Sequence, residues 1–172
     1  MQTVNLRSFR QIIRHKKRRL SNFLTRLQKK PPRGLDNLTK EADKAVWAKT
    51  DCLDCANCCK TMSPTYTNKD VQRISDHLGM SEKAFRKKWL YQDKSGDWMN
   101  IKQPCQFLDL NTNLCTIYAV RPKDCAGFPH HTKKRMIDYM HVYKQNLAFC
   151  PATFRMVEIL MNKIKPPVAE GD

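Results

Sequence analysis

The chain has 172 residues, enough for one compact domain, and its 41% hydrophobic and 28% charged residues are ordinary for a soluble globular protein. It has five glycines and no G-x-G-x-x-G, P-loop or G-x-S-x-G motif, which argues against a strand-rich barrel and a glycine-rich nucleotide loop. The first 45 residues contain no apolar run longer than two. Neither a signal-peptide core nor a transmembrane span is therefore expected, and the expected compartment is the reducing cytoplasm.

The formal charge of +16 is unevenly distributed along the chain. Residues 1–35 hold eleven of the 32 Lys and Arg residues and no acid, so this segment carries +11. The other 21 basic and 16 acidic residues leave +5 for the remainder. Metal-bound thiolates would lower the charge of that remainder further, so the basic character belongs to the N-terminal segment.

Apolar residues recur at helical spacing between basic residues from Phe9 to Leu27, which predicts a cationic amphipathic helix stopped by Pro31 and Pro32. Residues 1–34 are therefore interpreted as a basic N-terminal arm. Three roles are open for it. The apolar stripe packs on the arm's own chain with a solvated basic face, or lies on an anionic membrane surface, or the arginines bind the phosphates of RNA or the ribosome.

Further helices follow from the same periodicity and from their caps. They are predicted at 40–49 behind Thr39, at 69–78 before Gly79, behind Ser81, at about 136–146, and from Pro151 onward. The segment 109–113, rich in Asn and Asp, lies between two β-prone segments and predicts a small hairpin that carries Cys105 and Cys115. Residues 166–172 are expected to form a disordered tail.

Four of the eight cysteines lie between residues 52 and 59 in the pattern C-x2-C-x2-C-C. A thiolate is a soft anionic ligand, and two intervening residues let a tight turn direct both sulfurs at one ion. Cys52, Cys55 and Cys58 are therefore predicted to form a three-pronged claw. Because consecutive side chains of an extended backbone point to opposite sides, Cys59 is expected to face another site or to be a buried free thiol.

Cys150 precedes Pro151 and is expected at the N-terminus of the last helix, where unpaired N–H groups and the helix dipole favour a thiolate. It is therefore counted as a candidate ligand. His130 and His131 are candidate auxiliary ligands or surface residues. Arg121 and Asp124 either support the thiolates and their loops or form a structural ion pair.

The combined pattern resembles the YkgJ-type cysteine-cluster family, also described as zinc- or iron-chelating domains. The matching segments are the claw with Cys59, P-C-x-F-L from Pro104, C-x-I-Y-x2-R-P-x2-C-x2-F-P from Cys115, and Cys150-Pro151. The resemblance covers roughly residues 45–155 and leaves the basic arm outside; Ala126 departs from it, where many relatives have Arg. It implies chelation by cysteine, with the candidate ligands Cys52, Cys55, Cys58, Cys59, Cys105, Cys115, Cys125 and Cys150.

Zinc and iron–sulfur clusters both accept four thiolates in a tetrahedral array. The claw with a remote Cys-Pro is reminiscent of bacterial ferredoxin ligation, which favours an iron–sulfur cluster, whereas zinc ribbons also use separated C-x2-C pairs. The expected fold is α+β, mainly helical with loops and a small β-hairpin, and residues 35–165 form a domain around a cysteine-ligated metal centre.

The expected function is that of a cytoplasmic metal-binding protein with a metal-dependent fold. One alternative is an iron–sulfur-dependent enzyme, a transferase or oxidoreductase. The resemblance allows this because the flagellin lysine methylase has a similar cysteine cluster, although no separate S-adenosylmethionine motif occurs here. The other alternative is an RNA- or ribosome-associated module that uses the basic arm.

Overall fold

The computed structural model describes residues 4–164. The described chain is mainly helical α+β, as predicted, with one three-stranded antiparallel sheet. The helices are α1 Leu6–Lys29, α2 Leu35–Trp47, α3 Cys52–Cys55, α4 Asn57–Thr61, α5 Asn68–His77, α6 Glu82–Trp89, α7 Lys123–Gly127, α8 Met140–Asn146 and α9 Pro151–Lys163. The strands are β1 Thr65–Tyr66, β2 Leu90–Gln92 and β3 Trp98–Asn100, and 3-10 turns occur at Tyr118–Val120 and Met136–Tyr139.

The chain divides into two compact units. The first unit comprises Met1–Asp51 and Pro129–Asp172, and the second comprises Cys52–Phe128. The predicted separation of residues 1–34 from residues 35–165 stays a prediction, and the predicted tail at 166–172 lies outside the described residues.

In the first unit, the apolar stripe of α1 is buried against α8 and α9. The stripe consists of Phe9, Ile13, Leu20, Phe23, Leu24 and Leu27. The Phe9 ring meets the Phe154 ring of α9 edge-on with 5.8 Å between centroids, and Lys16 Nζ lies 2.6 Å from Glu158 Oε1. Of the three roles considered for this helix, the structure shows packing on its own chain.

His131 is a buried part of the first unit, with 4% of its surface exposed. Its Nδ1 lies 2.7 Å from Asp43 Oδ1, and its Nε2 lies 2.8 Å from Thr153 Oγ1. The ring also stacks on Tyr143 with 5.5 Å between centroids. Both ring nitrogens therefore have protein partners, and His131 is neither a surface residue nor open to a metal.

Most helix boundaries agree with the capping signals in the sequence. Thr67 caps α5 in a full capping box, Ser81 caps α6, and Cys150 is the N-cap of α9 as predicted. The prediction that Thr39 caps the second helix is wrong, because α2 already begins after Gly34, which adopts the left-handed conformation at φ +71°. Thr39 is instead buried inside α2.

The sheet of the second unit has the strand order β1-β3-β2, with both pairs antiparallel. The hairpin joins β2 to β3 through a turn in which Asp93 Oδ1 accepts hydrogen bonds from the backbone N–H groups of Ser95 and Asp97. The hairpin predicted at 104–118 is reduced to a single bridge between Leu108 and Cys115. The core beneath the sheet is formed by Tyr66, Val71, Ile74, Phe85, Leu90, Phe107 and Ile117.

Asp70 of α5 is a fully buried carboxylate that holds the start of α7. Its Oδ1 accepts a hydrogen bond from Arg73 Nη2 at 2.6 Å and another from the Lys123 backbone N–H at 3.1 Å. Its Oδ2 accepts from the Thr67 hydroxyl at 2.6 Å. Burial opposes ionisation, but the hydrogen bonds from Thr67 and Arg73 outweigh it and hold the pKa of Asp70 below its ordinary value.

We expect Asp70→Asn to lower the free energy of unfolding at pH 7 by about 3 kcal/mol. The neutral amide would replace the carboxylate that accepts hydrogen bonds from Thr67, Arg73 and the Lys123 N–H. A carboxyl whose folded pKa is depressed stabilises the protein above its unfolded pKa and ceases to do so as the pH falls through the folded pKa. The difference between wild type and variant should therefore shrink in acid. Urea titrations at pH 7 and at about pH 3 measure this.

Glu82→Gln is the matched control for this prediction. Glu82 pairs with Arg86 at 2.9 Å on the surface of α6, with 42% of its side chain exposed. An exposed pair of this kind contributes about 0.5 kcal/mol, so this variant should unfold close to wild type. Equal losses in the two variants would contradict the assigned role of Asp70.

Candidate metal centre

The cysteine claw folds as the two short helices α3 and α4, joined at Ala56, which adopts φ +42°. Successive residues of a helix are rotated by about 100° rather than to opposite sides. Cys58 and Cys59 of α4 therefore face the same region, with 3.9 Å between their sulfurs. The expectation that Cys59 faces a different site is wrong, because the backbone is helical there and not extended.

A cavity of about 240 Å³ lies in the second unit, beside α3 and α4. Six cysteines line it: Cys52, Cys58, Cys59, Cys105, Cys115 and Cys125. Much of the remaining wall is apolar and includes Leu53, Met62, Tyr66, Phe107, Ile117 and Phe128. Three distant parts of the chain thus bring thiols to one cavity together with the claw.

Backbone hydrogen bonds tie the distant cysteines to the frame of this unit. The Cys105 N–H donates to the Cys59 carbonyl oxygen at 2.8 Å, which fixes the loop after β3 onto α4. Cys115 takes part in the bridge with Leu108. Cys125 lies on α7, where Asp124 Oδ2 accepts a hydrogen bond from the Thr65 N–H at 3.2 Å.

Two predicted ligands are not among the lining residues. Cys55 ends α3 and is buried, with 8% of its surface exposed. Cys150 belongs to the first unit, where its sulfur accepts a hydrogen bond from the Thr153 N–H at 3.5 Å at the start of α9. Within residues 4–164, no three Cys, His, Asp or Glu side chains are grouped closely enough to coordinate one metal ion. The thiols surround a cavity rather than a single ion-sized point.

The thiols of the cavity differ in acidity. A hydrogen bond from Cys58, opposed by burial and assisted by the charge of Lys60, lowers the pKa of Cys59 to about 7. Burial raises the pKa of Cys105, Cys115 and Cys125, and the negative charge of Cys59 adds to the increase in each. Once Cys59 is a thiolate, its charge makes ionisation of the other three thiols unfavourable. A metal cation in the cavity would reverse this effect, because it stabilises each thiolate that it binds.

Arg121 and Asp124 line the cavity and hold its loops. The Arg121 guanidinium lies 3.8 Å from the Tyr118 ring centroid and donates to the Tyr118 carbonyl oxygen at 2.7 Å. Asp124 anchors β1 through Thr65. Two roles were considered for Arg121 and Asp124, namely support of the thiolates and their loops or a structural ion pair. These contacts support the first role, because both residues hold loops that surround the thiols.

Sequence reasoning missed a buried amide next to this cavity. Asn100 is 3% exposed, and its Oδ1 accepts hydrogen bonds from the Tyr66 hydroxyl at 2.6 Å and from Gln106 Nε2 at 2.9 Å. These two donors fix the orientation of the amide. The Asn100 amide also moderates the increase in the pKa of the Cys105 thiol, although its Nδ2 atom has no hydrogen-bond partner among the described residues. No motif singles out Asn100, which follows an ordinary β-prone run.

The comparison with family models is consistent with this cluster of thiols. Residues 51–150 match the CxxCxxCC family, described as a "putative zinc- or iron-chelating domain". The chain belongs to this family, since the match spans more than half of its length, and the family resemblance predicted from the cysteine spacing is confirmed. The protein is thus a member of a family that is defined by its cysteine cluster and that this description connects with zinc or iron.

One curated relative is an uncharacterized protein of Methanocaldococcus jannaschii, 31% identical over 86 residues. The match covers 49% of this chain and 46% of the relative, so the chain spans about half the length of that protein. No solved structure matches the chain significantly. None of the helices between residues 4 and 164 combines the length and apolar character that a membrane span requires.

We expect Cys59 to be the first thiol of the cavity to react with iodoacetamide in metal-free protein at pH 7.5. The thiolate is the nucleophile, and Cys59, with a pKa of about 7, is largely ionised there, whereas burial keeps Cys125 protonated. Peptide mass spectrometry at short reaction times measures the order of alkylation.

Cys58→Ser is the informative variant for this prediction. It replaces the thiol that forms a hydrogen bond with Cys59, so the pH midpoint of Cys59 alkylation should change. Equal alkylation rates at Cys59 and Cys125 in the wild-type protein would contradict the assignment.

Proposed function

We propose that the second unit chelates a metal centre in the cysteine-lined cavity, that this centre is an iron–sulfur cluster in preference to a single zinc ion, and that folding of the unit depends on it. The observation that carries the proposal is the gathering of six thiols around one cavity of about 240 Å³. The family assignment supports zinc or iron chelation in general.

The preference for a cluster rests on the number of donors and on the sequence pattern. A structural zinc site takes four donors, whereas six thiols line this cavity. The C-x2-C-x2-C claw also resembles bacterial ferredoxin ligation. A cluster of several iron and sulfide atoms spans more of the cavity while its irons take thiolate ligands from different sides. Zinc remains the alternative metal.

The six lining cysteines are the proposed ligands, and Cys55 and Cys150 stay candidates from the sequence alone. The thiols release protons as the metal binds, and Lys60 lowers the cost of ionising Cys59. Asn100 Nδ2, which has no hydrogen-bond partner among the described residues, would be available to donate to a metal-bound Cys105 thiolate. The metal would supply a covalent cross-link and, as a cluster, one-electron redox capacity.

The dependence of folding on metal follows from the second unit's long connections. Between β3 and α7, the regular backbone structure is one bridge and one short 3-10 turn. Cys105 and Cys115 lie in this segment, so ligation joins it to α4 and α7. A structural metal can contribute on the order of ten kcal/mol of apparent free energy, comparable to the whole stability of a domain. We therefore propose a metal-binding protein whose fold depends on its metal. The reducing cytoplasm is its proposed compartment, because clustered cysteines there more often bind metal than form disulfides.

A second candidate function is an iron–sulfur-dependent enzyme, a transferase or oxidoreductase. The supporting observation is the wall of the cavity, where apolar side chains lie beside the exposed Cys52. Such a wall leaves a place for an organic substrate next to the metal. The RNA- or ribosome-associated alternative depends instead on the exposed face of α1.

Anaerobic purification with elemental analysis and an absorption spectrum tests the proposal. We expect iron and acid-labile sulfide in stoichiometric amounts, with sulfur-to-iron charge-transfer bands in the visible region. A colourless protein with bound zinc would overturn the cluster and leave chelation intact, because zinc has a filled d shell. Protein that binds neither metal after reconstitution would overturn chelation itself.

We expect Cys58→Ser to lose the bound metal and to unfold at a lower temperature, because it removes a ligand that faces the centre of the cavity. Metal content by elemental analysis and thermal unfolding by circular dichroism measure both effects. The sequence prediction that Cys55→Ser does the same is tested in parallel. Retention of metal in Cys55→Ser would remove Cys55 from the candidate ligands.

Met62→Leu is the matched control. Met62 lines the same cavity, and the substitution keeps its volume and removes only a thioether sulfur. Metal content should stay at the wild-type value. If Cys58→Ser also retained full metal content, Cys58 would not be a ligand.

A further inference from the structure

We propose that the exposed face of α1 is a nucleic-acid interface that binds the phosphodiester backbone. This basic face is defined by Arg7, Arg10, Arg14, Arg18, Arg26 and Lys29, all of which are exposed. Arg18 and Lys29 lie opposite the buried stripe, and Arg10 and Arg26 lie on its two flanks. The proposal does not depend on the metal centre, since α1 belongs to the first unit.

The first unit carries most of the charge of the protein. Residues 1–51 and 129–172 hold 21 Lys and Arg and eight Asp and Glu, a net charge of +13. Residues 52–128 hold eleven basic and eight acidic residues, a net charge of +3. The excess of positive charge is concentrated on α1, because the first acidic residue of the chain is Asp36.

The cations of the basic face repel one another. Arg10, Arg14 and Arg18 follow one another at four-residue spacing, at which like charges destabilise a helix. Within the described part of the chain, the ion pair recorded for α1 is Lys16 with Glu158, at the edge that packs on α9. An external polyanion would relieve this repulsion, and its counterions would be released on binding.

The burial of the apolar stripe decides between a membrane and a nucleic acid. An interfacial helix binds a bilayer by inserting its apolar face, but that face of α1 is already covered by α8 and α9. Ile12, 42% exposed, is the large apolar residue of α1 left at the surface among the described residues. The exposed side of α1 therefore offers a partner positive charge rather than an apolar surface.

The kind of cation and the length of the row favour phosphates. Five of the six residues are arginines, whose planar guanidinium groups bind phosphate oxygens through two parallel hydrogen bonds. The helix has 24 residues and is therefore about 36 Å long. A row of this length fits a repeating phosphate backbone rather than a single small anion. Lys144 of α8 extends the surface, since its Nζ lies 3.4 Å from Gln28 Oε1.

The test is fluorescence anisotropy of full-length protein with a labelled RNA hairpin, a DNA duplex of matched length, and vesicles with an anionic lipid, over a range of salt concentrations. We expect the protein to bind nucleic acid. The logarithm of the association constant should fall linearly with the logarithm of the salt concentration. The triple variant Arg7→Gln, Arg14→Gln, Arg18→Gln should reduce the slope by about two to three, because each lost phosphate contact removes about one.

Lys16→Gln is the matched control. It removes one positive charge from the same helix, where the triple variant removes three, and the Lys16 ammonium is already paired with Glu158. The dependence of its nucleic-acid affinity on salt concentration should stay close to that of the wild-type protein. Circular dichroism must show unchanged helicity in the triple variant. A stronger preference for RNA than for DNA would assign the proposed interface to RNA, and equal affinities would assign it to the phosphate backbone in general.

Three outcomes would overturn the proposal. They are no binding to either nucleic acid at low salt, unchanged binding and slope in the folded triple variant, and binding to anionic vesicles without binding to nucleic acid. The last result would assign the basic face to a membrane surface instead.

Discussion

Mutual repulsion between thiolates in a partly buried cavity is the constraint on which the second unit depends. Cys59 ionises near neutral pH, and its charge and the surrounding burial then oppose ionisation of Cys105, Cys115 and Cys125. These thiols remain mainly neutral by themselves. A cation that binds several of them at once reverses this balance, because its charge favours every thiolate it coordinates.

The frame around the cavity explains how so few regular elements position so many thiols. Asp70 holds α5 against the start of α7, and the Cys105 N–H binds the carbonyl of Cys59. Each of these contacts joins segments more than forty residues apart in the sequence. The small sheet and the aromatic core beneath it supply the rigid side of the unit. The thiol-bearing loops depend on these few polar contacts and on the proposed metal.

Much of the fold could be predicted because its helices have strong local signals. The cap at Ser81 and the proline at 151 locate two helix starts. The errors lie where two signals compete. Gly34 starts α2 before the apparent cap at Thr39, and polar turns occur at both 93–97 and 109–113 but only the first closes a regular hairpin. The helices of the claw have four and five residues, too short to show a hydrophobic period.

For the site, cysteine spacing and the family resemblance predicted which residues are candidates, but not which of them meet. Cys55 has the same sequence signal as Cys52 and Cys58, and only the position of its side chain on α3 separates it from the cavity wall. Asn100 has no sequence signal, because its role arises from a tertiary contact with Tyr66 and Gln106.

The 3.9 Å separation of the Cys58 and Cys59 sulfurs also bears on how the protein survives before it acquires metal. A thiolate that forms near neutral pH is a favoured target for peroxide, which oxidises it to a sulfenic acid. A disulfide between Cys58 and Cys59 would require α4 to distort, because consecutive Cα atoms are closer together than in ordinary disulfides. If the proposed metal binds, coordination would occupy the same sulfur electron pairs and protect them, so metal delivery and oxidation would compete for Cys59.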